Sequence, residues 1–153
     1  MSSLRDKIKM SKEEMTSFLK NQISLQIGTI NKDGSPHLTT MWYLYDGESF
    51  IFHTYTKSQK IINLKRDSRI TVLTETGSQY SDLQGIIAYG EVEIINGKDS
   101  PEEVIKYMDL VGNKYIKGED SAQYLEGMKL QAPKRSVVII KPSKFISWDH
   151  SKL

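Results

Sequence analysis

Ile23, Leu25, Ile27 and Thr29 alternate with Ser24, Gln26 and Gly28, the two-residue period of a half-buried strand. Asn31-Lys32-Asp33-Gly34-Ser35-Pro36 then reads as a turn centred on Asp-Gly, and Asp46-Gly47 as a second, tighter one. Between and after them lie strand-like stretches over 37–45 and 49–55, so the pattern predicts an antiparallel meander of two hairpins. Alternation returns over 69–74, where Ile70, Val72 and Thr74 are set against Thr71 and Leu73. The polar stretch 75–84 predicts a loop, and 85–95 a long strand in which Gly90 marks a bulge or a close backbone approach. Residues 136–141, ended by Pro142, and 145–150 complete the strand candidates.

The helical period appears between these runs. Ser11 is an N-cap with Glu14 at the capping-box position, followed by Met15, Phe18 and Leu19 on one face and Asn21 as a stop. Ser100-Pro101-Glu102-Glu103 opens another helix, with Val104, Tyr107, Met108 and Val111 as its stripe. Tyr124, Leu125 and Met128 suggest a short helix within the less distinct 114–128. Residues 57–67 predict a third amphipathic helix, with Ile61, Ile62 and Leu64 toward a core and Thr54 or Thr56 as its cap. Six or seven strands joined by connections too short for parallel crossovers predict a mainly antiparallel sheet closed into a barrel, with flanking helices. No linker or repeat divides 1–153, so one domain is expected.

Charge changes the picture at the helix over 57–67. Lys65 and Arg66 near its end suit the macrodipole, but Lys57 and Lys60 at its start oppose it, each at about 0.3–1 kcal/mol. Spaced three apart they share a face, next to hydroxyls and free N–H groups. An anion, most simply a phosphate, would resolve the conflict; a solvated helix start is the plain alternative.

Composition excludes more than it suggests. The net charge is +2 and there is no cysteine, which removes disulfides, thiolate nucleophiles and Cys-based metal sites. The three histidines, His37, His53 and His150, have no metal-ligand spacing, and no metal is expected. No nucleophile elbow, phosphate loop or dinucleotide fingerprint is present. The first ten residues lack an apolar run of signal-peptide type and no stretch has transmembrane length, so a cytoplasmic protein with no membrane partner is expected. Near-neutral charge argues against nucleic acid at the basic cluster Lys65, Arg66 and Arg69. The stretch Leu38-Thr39-Thr40-Met41-Trp42-Tyr43 is polar and aromatic together. The meander sets it beside the strand that feeds the lysine-bearing helix, where it can flank a flat heteroaromatic ring or simply fill a core.

Four segments in their order and spacing resemble the pyridoxamine 5'-phosphate oxidase-like superfamily of split β-barrel flavin and deazaflavin oxidoreductases. They are 28–37, Met41-Trp42-Tyr43-Leu44-Tyr45-Asp46-Gly47, the run from Phe52-His53-Thr54 through Ser58-Gln59-Lys60 to Arg69, and Gly90-Glu91-Val92-Glu93. Trp148-Asp149-His150 is similar to the tail of the deazaflavin branch. The resemblance implies a six- to seven-stranded antiparallel split β-barrel of FMN-binding type. It implies a homodimer with cofactor sites between subunits, holding FMN or coenzyme F420, and hydride transfer to or from a small organic substrate; the cofactor carries the chemistry and no side chain is named as catalytic. A non-catalytic flavin- or deazaflavin-binding carrier or redox sensor is the alternative.

Carried over by position, Lys60 is the phosphate-binding lysine and Ser58 a phosphate-contacting residue, with Lys57 and Asn63 nearby. Gln59 stands where many flavin-binding members have arginine. His53 and Thr54 approach the cofactor, Thr39, Thr40, Met41 and Trp42 flank its ring, and Gln84 or Gly85 is supplied by the partner subunit. The vitamin B6 oxidases carry a C-terminal stretch with arginine and histidine, whereas this chain ends Ser147-Trp148-Asp149-His150-Ser151-Lys152-Leu153 without arginine, so oxidation of that vitamin is not expected.

Overall fold

A computed structural model describes residues 3–153; Met1 and Ser2, the first two positions of the leader-free reading, lie outside the described residues. The chain runs α1 (Leu4–Lys7), α2 (Lys12–Asn21), β1 (Leu25–Ile30), β2 (Pro36–Met41), β3 (Leu44–Tyr45), β4 (Phe50–Tyr55), α3 (Gln59–Arg66) and β5 (Arg69–Thr76). It continues through β6 (Gln84–Asn96), α4 (Pro101–Tyr115), α5 (Ser121–Lys129) and β7 (Arg135–Asp149). Short 3-10 turns precede β6 and β7 and end the chain.

All strands pair antiparallel in one sheet of order β2-β1-β5-β6-β7-β4-β3. β2 and β3 hold opposite edges of that order, yet only Trp42 and Tyr43 separate them in the chain. Seven strands laid flat would span about 29 Å, far more than two residues can bridge. The sheet must therefore roll until its edges approach, and among the described residues no ladder joins β2 to β3. The result is the expected mainly-β split barrel with flanking helices.

This geometry corrects the meander. The stretch 37–45 is not one strand: β2 pairs with β1, the Trp42-Tyr43 corner breaks it, and β3 pairs with β4. β4 takes β7, not β2, as its other neighbour. A second correction joins what Pro142 had divided, because β7 runs unbroken over fifteen residues. The proline lies opposite Gly90 at a register shift after Tyr89, where the missing N–H costs no ladder bond. A Cβ on Gly90 would sit 2.3 Å from the Lys141 carbonyl oxygen, so the close approach needs glycine.

Inward residues Leu25, Ile27, Phe50, Phe52, Ile70, Val72, Ile86 and Ile140 fill the barrel, closed by Leu19 of α2 and by Ile61 and Leu64 of α3. Ile62, expected with them, is about half exposed. A second core packs Val104, Met108 and Val111 of α4 on Ile51 and Val137, so β4 is buried on both faces. α2 begins with the predicted Ser11–Glu14 capping box. Tyr43, fully buried, donates its hydroxyl to the Leu19 carbonyl and holds α2 on the corner.

Candidate functional site

β4 leaves the barrel at Tyr55 and turns through Thr56 and Lys57 into α3. The N-cap is Ser58, not Thr54 or Thr56, and its side chain makes no cap bond. Ser58 Oγ is buried and has no hydrogen-bond partner. The first N–H groups of a helix have no partner within it either, so donors are left over at this end. Lys60, the second residue of the helix, is 8% exposed, and its Nζ donates to Thr54 Oγ1 at 3.3 Å. Among the described residues no carboxylate pairs with it. Burial holds its pKa below the ordinary lysine value.

A buried cation, an orphaned hydroxyl and a helix N-terminus thus share one place with no acid to neutralise them, the donor set that an oxyanion such as a phosphate requires. Lys57 does not join it: it precedes the N-cap, is exposed and lines another cavity. The first-turn pairing of the two lysines is therefore corrected to one buried lysine and one outside the helix.

Asn63 and Gln59 serve the helix itself. Asn63, fully buried, donates to Thr29 Oγ1 (3.1 Å) and Asn31 Oδ1 (3.0 Å) and accepts from Gln59 Nε2 (2.8 Å) and Arg66 (3.2 Å). This network ties α3 to β1 and sets where Lys60 stands. Strand alternation puts His53 on the opposite face of β4 from Thr54. There its Nδ1 meets an Arg135 guanidinium nitrogen at 3.3 Å, and burial with that cation drives its pKa down to about 4, so the ring is neutral.

The other predicted group lines a cleft of 390 Å³ on the outer face of β2, β1, β5 and β6. Thr39 and Thr40 border it with Gln26, Gly28, Leu38 and Tyr89. Gln26 Oε1 is buried there without a partner; Thr39 Oγ1, also unpartnered, lies on the other face of β2, the one Thr39 shares with Met41 and with Ile27 across the ladder. Met41, opposite Leu25, packs against the barrel core instead. Trp42 is half exposed and stacks on Tyr115 of α4, ring centroids 4.5 Å apart and planes 2° from parallel. Gln84 and Gly85 begin β6, at the far end of that strand from Asn96 and the Lys57 loop, about 40 Å along its length. One chain does not bring them to Lys60.

Three participants escaped the sequence. Gln26 read only as the polar side of a strand, Arg135 only as the entry to β7, and Tyr115 lay in the indistinct 114–128. Among the described residues no three His, Asp or Glu side chains cluster as a metal site requires, and no helix is long and apolar enough to cross a membrane.

Residues 11–149 match the family model described as pyridoxamine 5'-phosphate oxidase. The fold is similar to the crystal structure of a conserved hypothetical protein, Rv2991, from Mycobacterium tuberculosis, at 34% identity and TM-score 0.84, over 99% of this chain and 92% of that one. It is also similar to an F420 reductase (22% identity, TM-score 0.64, 84% of this chain and 93% of that one). An FAD- and heme-binding protein from Mycobacterium smegmatis matches at 14% identity and TM-score 0.75, over 94% and 73% of the two chains. The last two show a shared fold alone. No curated protein matches the sequence.

Proposed function

The chain belongs to the pyridoxamine 5'-phosphate oxidase family, and from that premise we propose that it is an oxidoreductase that uses FMN or coenzyme F420. The observation that carries this reading is the buried, acid-free Lys60 beside the unpartnered Ser58 hydroxyl at the start of α3. These residues fit the phosphate of either cofactor: Lys60 supplies charge, Ser58 a hydrogen bond, and the helix N-terminus its dipole. The orphaned Gln26 Oε1, with Thr40 opposite it, gives a flat heteroaromatic ring a polar contact in the 390 Å³ cleft.

When bound, the cofactor supplies the hydride chemistry with a small organic substrate. The chain's own part is to hold, orient and shield. Thr54 and the Asn63 network fix Lys60; Thr40, Leu38 and Gly28 shape the cleft floor. Leu38, at 73% exposure, and Tyr89 leave that cleft apolar and open. We therefore extend the proposal to a homodimer in which a second copy covers this face, excludes water and brings its Gln84 and Gly85 to the cofactor.

The test is titration of the purified chain with FMN and with F420, followed by absorbance, and light scattering for mass. Micromolar binding of one of them by a dimer supports the reading; absence of binding to both sinks it. Turnover of the reduced cofactor with candidate acceptors then separates an enzyme from a carrier.

A further inference from the structure

A cavity of 520 Å³ lies outside the start of α3, lined among others by Tyr55, Thr56, Lys57, Asn96, Lys98 and Lys134. Three segments build it, and backbone hydrogen bonds lock them together. The Thr56 N–H donates to the Lys134 carbonyl at 3.0 Å, and the Gly97 N–H to the Arg135 carbonyl at 2.8 Å. A Cβ on Gly97 would sit 1.8 Å from the Ala132 carbonyl oxygen, so the segment after β6 passes this closely only as glycine. Each segment contributes one lysine: Lys57, Lys98 and Lys134.

None of the three forms a salt bridge among the described residues, and no carboxylate lines the cavity. A fourth cation lies against Tyr55, one of the lining residues. The Arg135 guanidinium lies 4.2 Å from the centroid of the Tyr55 ring, and its Nε is buried without a partner. Tyr55 is itself tethered through its hydroxyl to Gln131 at 2.6 Å. The three lysines are exposed, and a cross-linked backbone frame brings them to the rim of one concavity of ligand size, where an entering anion lowers their mutual repulsion.

We propose that this cavity is an anion-binding subsite for a carboxylate- or phosphate-bearing small molecule that binds alongside the ligand held at Lys60. It shares a loop with the α3 site, through Lys57 and Ser58, but not its buried lysine. The anion site itself does not depend on the cofactor reading, because citrate tests it on the cofactor-free chain; its occupation alongside the Lys60 ligand rests on that reading.

The full chain, alone and saturated with FMN, is titrated calorimetrically with citrate and with inorganic phosphate at low ionic strength. The Lys98→Ala/Lys134→Ala double variant is compared with Lys32→Ala, a turn lysine remote from the cavity. Both changed lysines are exposed, so the fold is kept, and circular dichroism checks it. Citrate is expected to bind wild type and Lys32→Ala equally, and the double variant at least about tenfold more weakly, the loss of one charge-assisted hydrogen bond or more. Lys60→Ala leaves citrate affinity unchanged, and FMN and citrate bind together. Equal citrate affinity in the double variant overturns the proposal, as does absence of citrate and phosphate binding at millimolar concentration. Competition between FMN and citrate also overturns it, because the cavity would then be the phosphate site itself. So does a lysine-dependent affinity for a single-stranded oligonucleotide with none for citrate, which would make the patch a nucleic-acid surface.

Discussion

Lys60→Met separates what the buried ammonium does for the ligand from what it costs the fold. The substitution keeps an unbranched apolar stem and removes the charge. In the free chain that charge has, among the described residues, one hydroxyl partner, Thr54 at 3.3 Å, and no carboxylate, so it is desolvated with little return. A bound phosphate gives it a charge-assisted hydrogen bond worth about 1.5–3 kcal/mol. Its removal should raise the dissociation constant for FMN or F420 by about 10- to 150-fold. Stability of the ligand-free protein should stay equal or rise, the opposite sign to binding. The pH dependence carries the same message. Burial lowers the folded-state pKa from 10.5, so between the folded value and 10.5 the unfolded chain holds more protons. Wild-type stability therefore climbs as pH rises through that window, and Lys60→Met flattens the climb. Fluorescence titration and urea unfolding at neutral and alkaline pH read both quantities. An unchanged dissociation constant refutes the phosphate assignment. A variant that binds normally but unfolds more easily would make the ammonium a structural donor to Thr54.

Ser58→Ala removes a hydroxyl that makes no cap bond, so urea unfolding should move by no more than about 0.5 kcal/mol, while cofactor affinity falls about fivefold. His53 has a folded pKa near 4 against 6.5 unfolded, so the unfolded chain takes up the proton first as pH drops. Stability worth about 3 kcal/mol is lost from pH 6.5 down through pH 4, and His53→Gln should remove that share of the wild-type acid slope in urea titrations. Asn63→Ala strands Thr29 and Asn31 and should cost about 2–3 kcal/mol, read as a lower urea midpoint with an unchanged slope. Gly97→Ala drives a Cβ into the Ala132 carbonyl and should cost about 2 kcal/mol or more by thermal unfolding.

The strands were legible where one face is buried and the other wet. Leu25, Ile27 and Thr29 are buried and alternate with half-buried neighbours, and the local period alone records that. Partner choice was not legible, because it is non-local. Nothing in 37–45 says that its first half pairs with β1 and its second with β4; that follows from closing seven strands so that Trp42 and Tyr43 can turn the corner. Pro142 misled for a related reason. A proline ends a regular strand, but opposite Gly90, at a bulge, its missing N–H is not needed, and the two halves of β7 continue as one.

The site divides along the same line. Lys60 was legible because helix physics is local: a cation in the first turn conflicts with the dipole unless something outside the chain answers it, whereas Ser58 was marked only by the family resemblance, the cap being expected at Thr54 or Thr56. Lys57 carried the same charge argument and separated from Lys60 on a shift of the cap by two residues or more. With the N-cap at Ser58 rather than at Thr54 or Thr56, Lys57 falls outside the helix and turns to the cavity it shares with Lys98 and Lys134. Those two stand 41 and 77 residues further on (98 − 57 and 134 − 57), so no local pattern reaches them. What joins them is the Thr56–Lys134 and Gly97–Arg135 backbone bonds, which exist only once β6, β7 and β4 lie side by side. The buried lysine is thus written in the helix, and the basic cavity is written in the sheet.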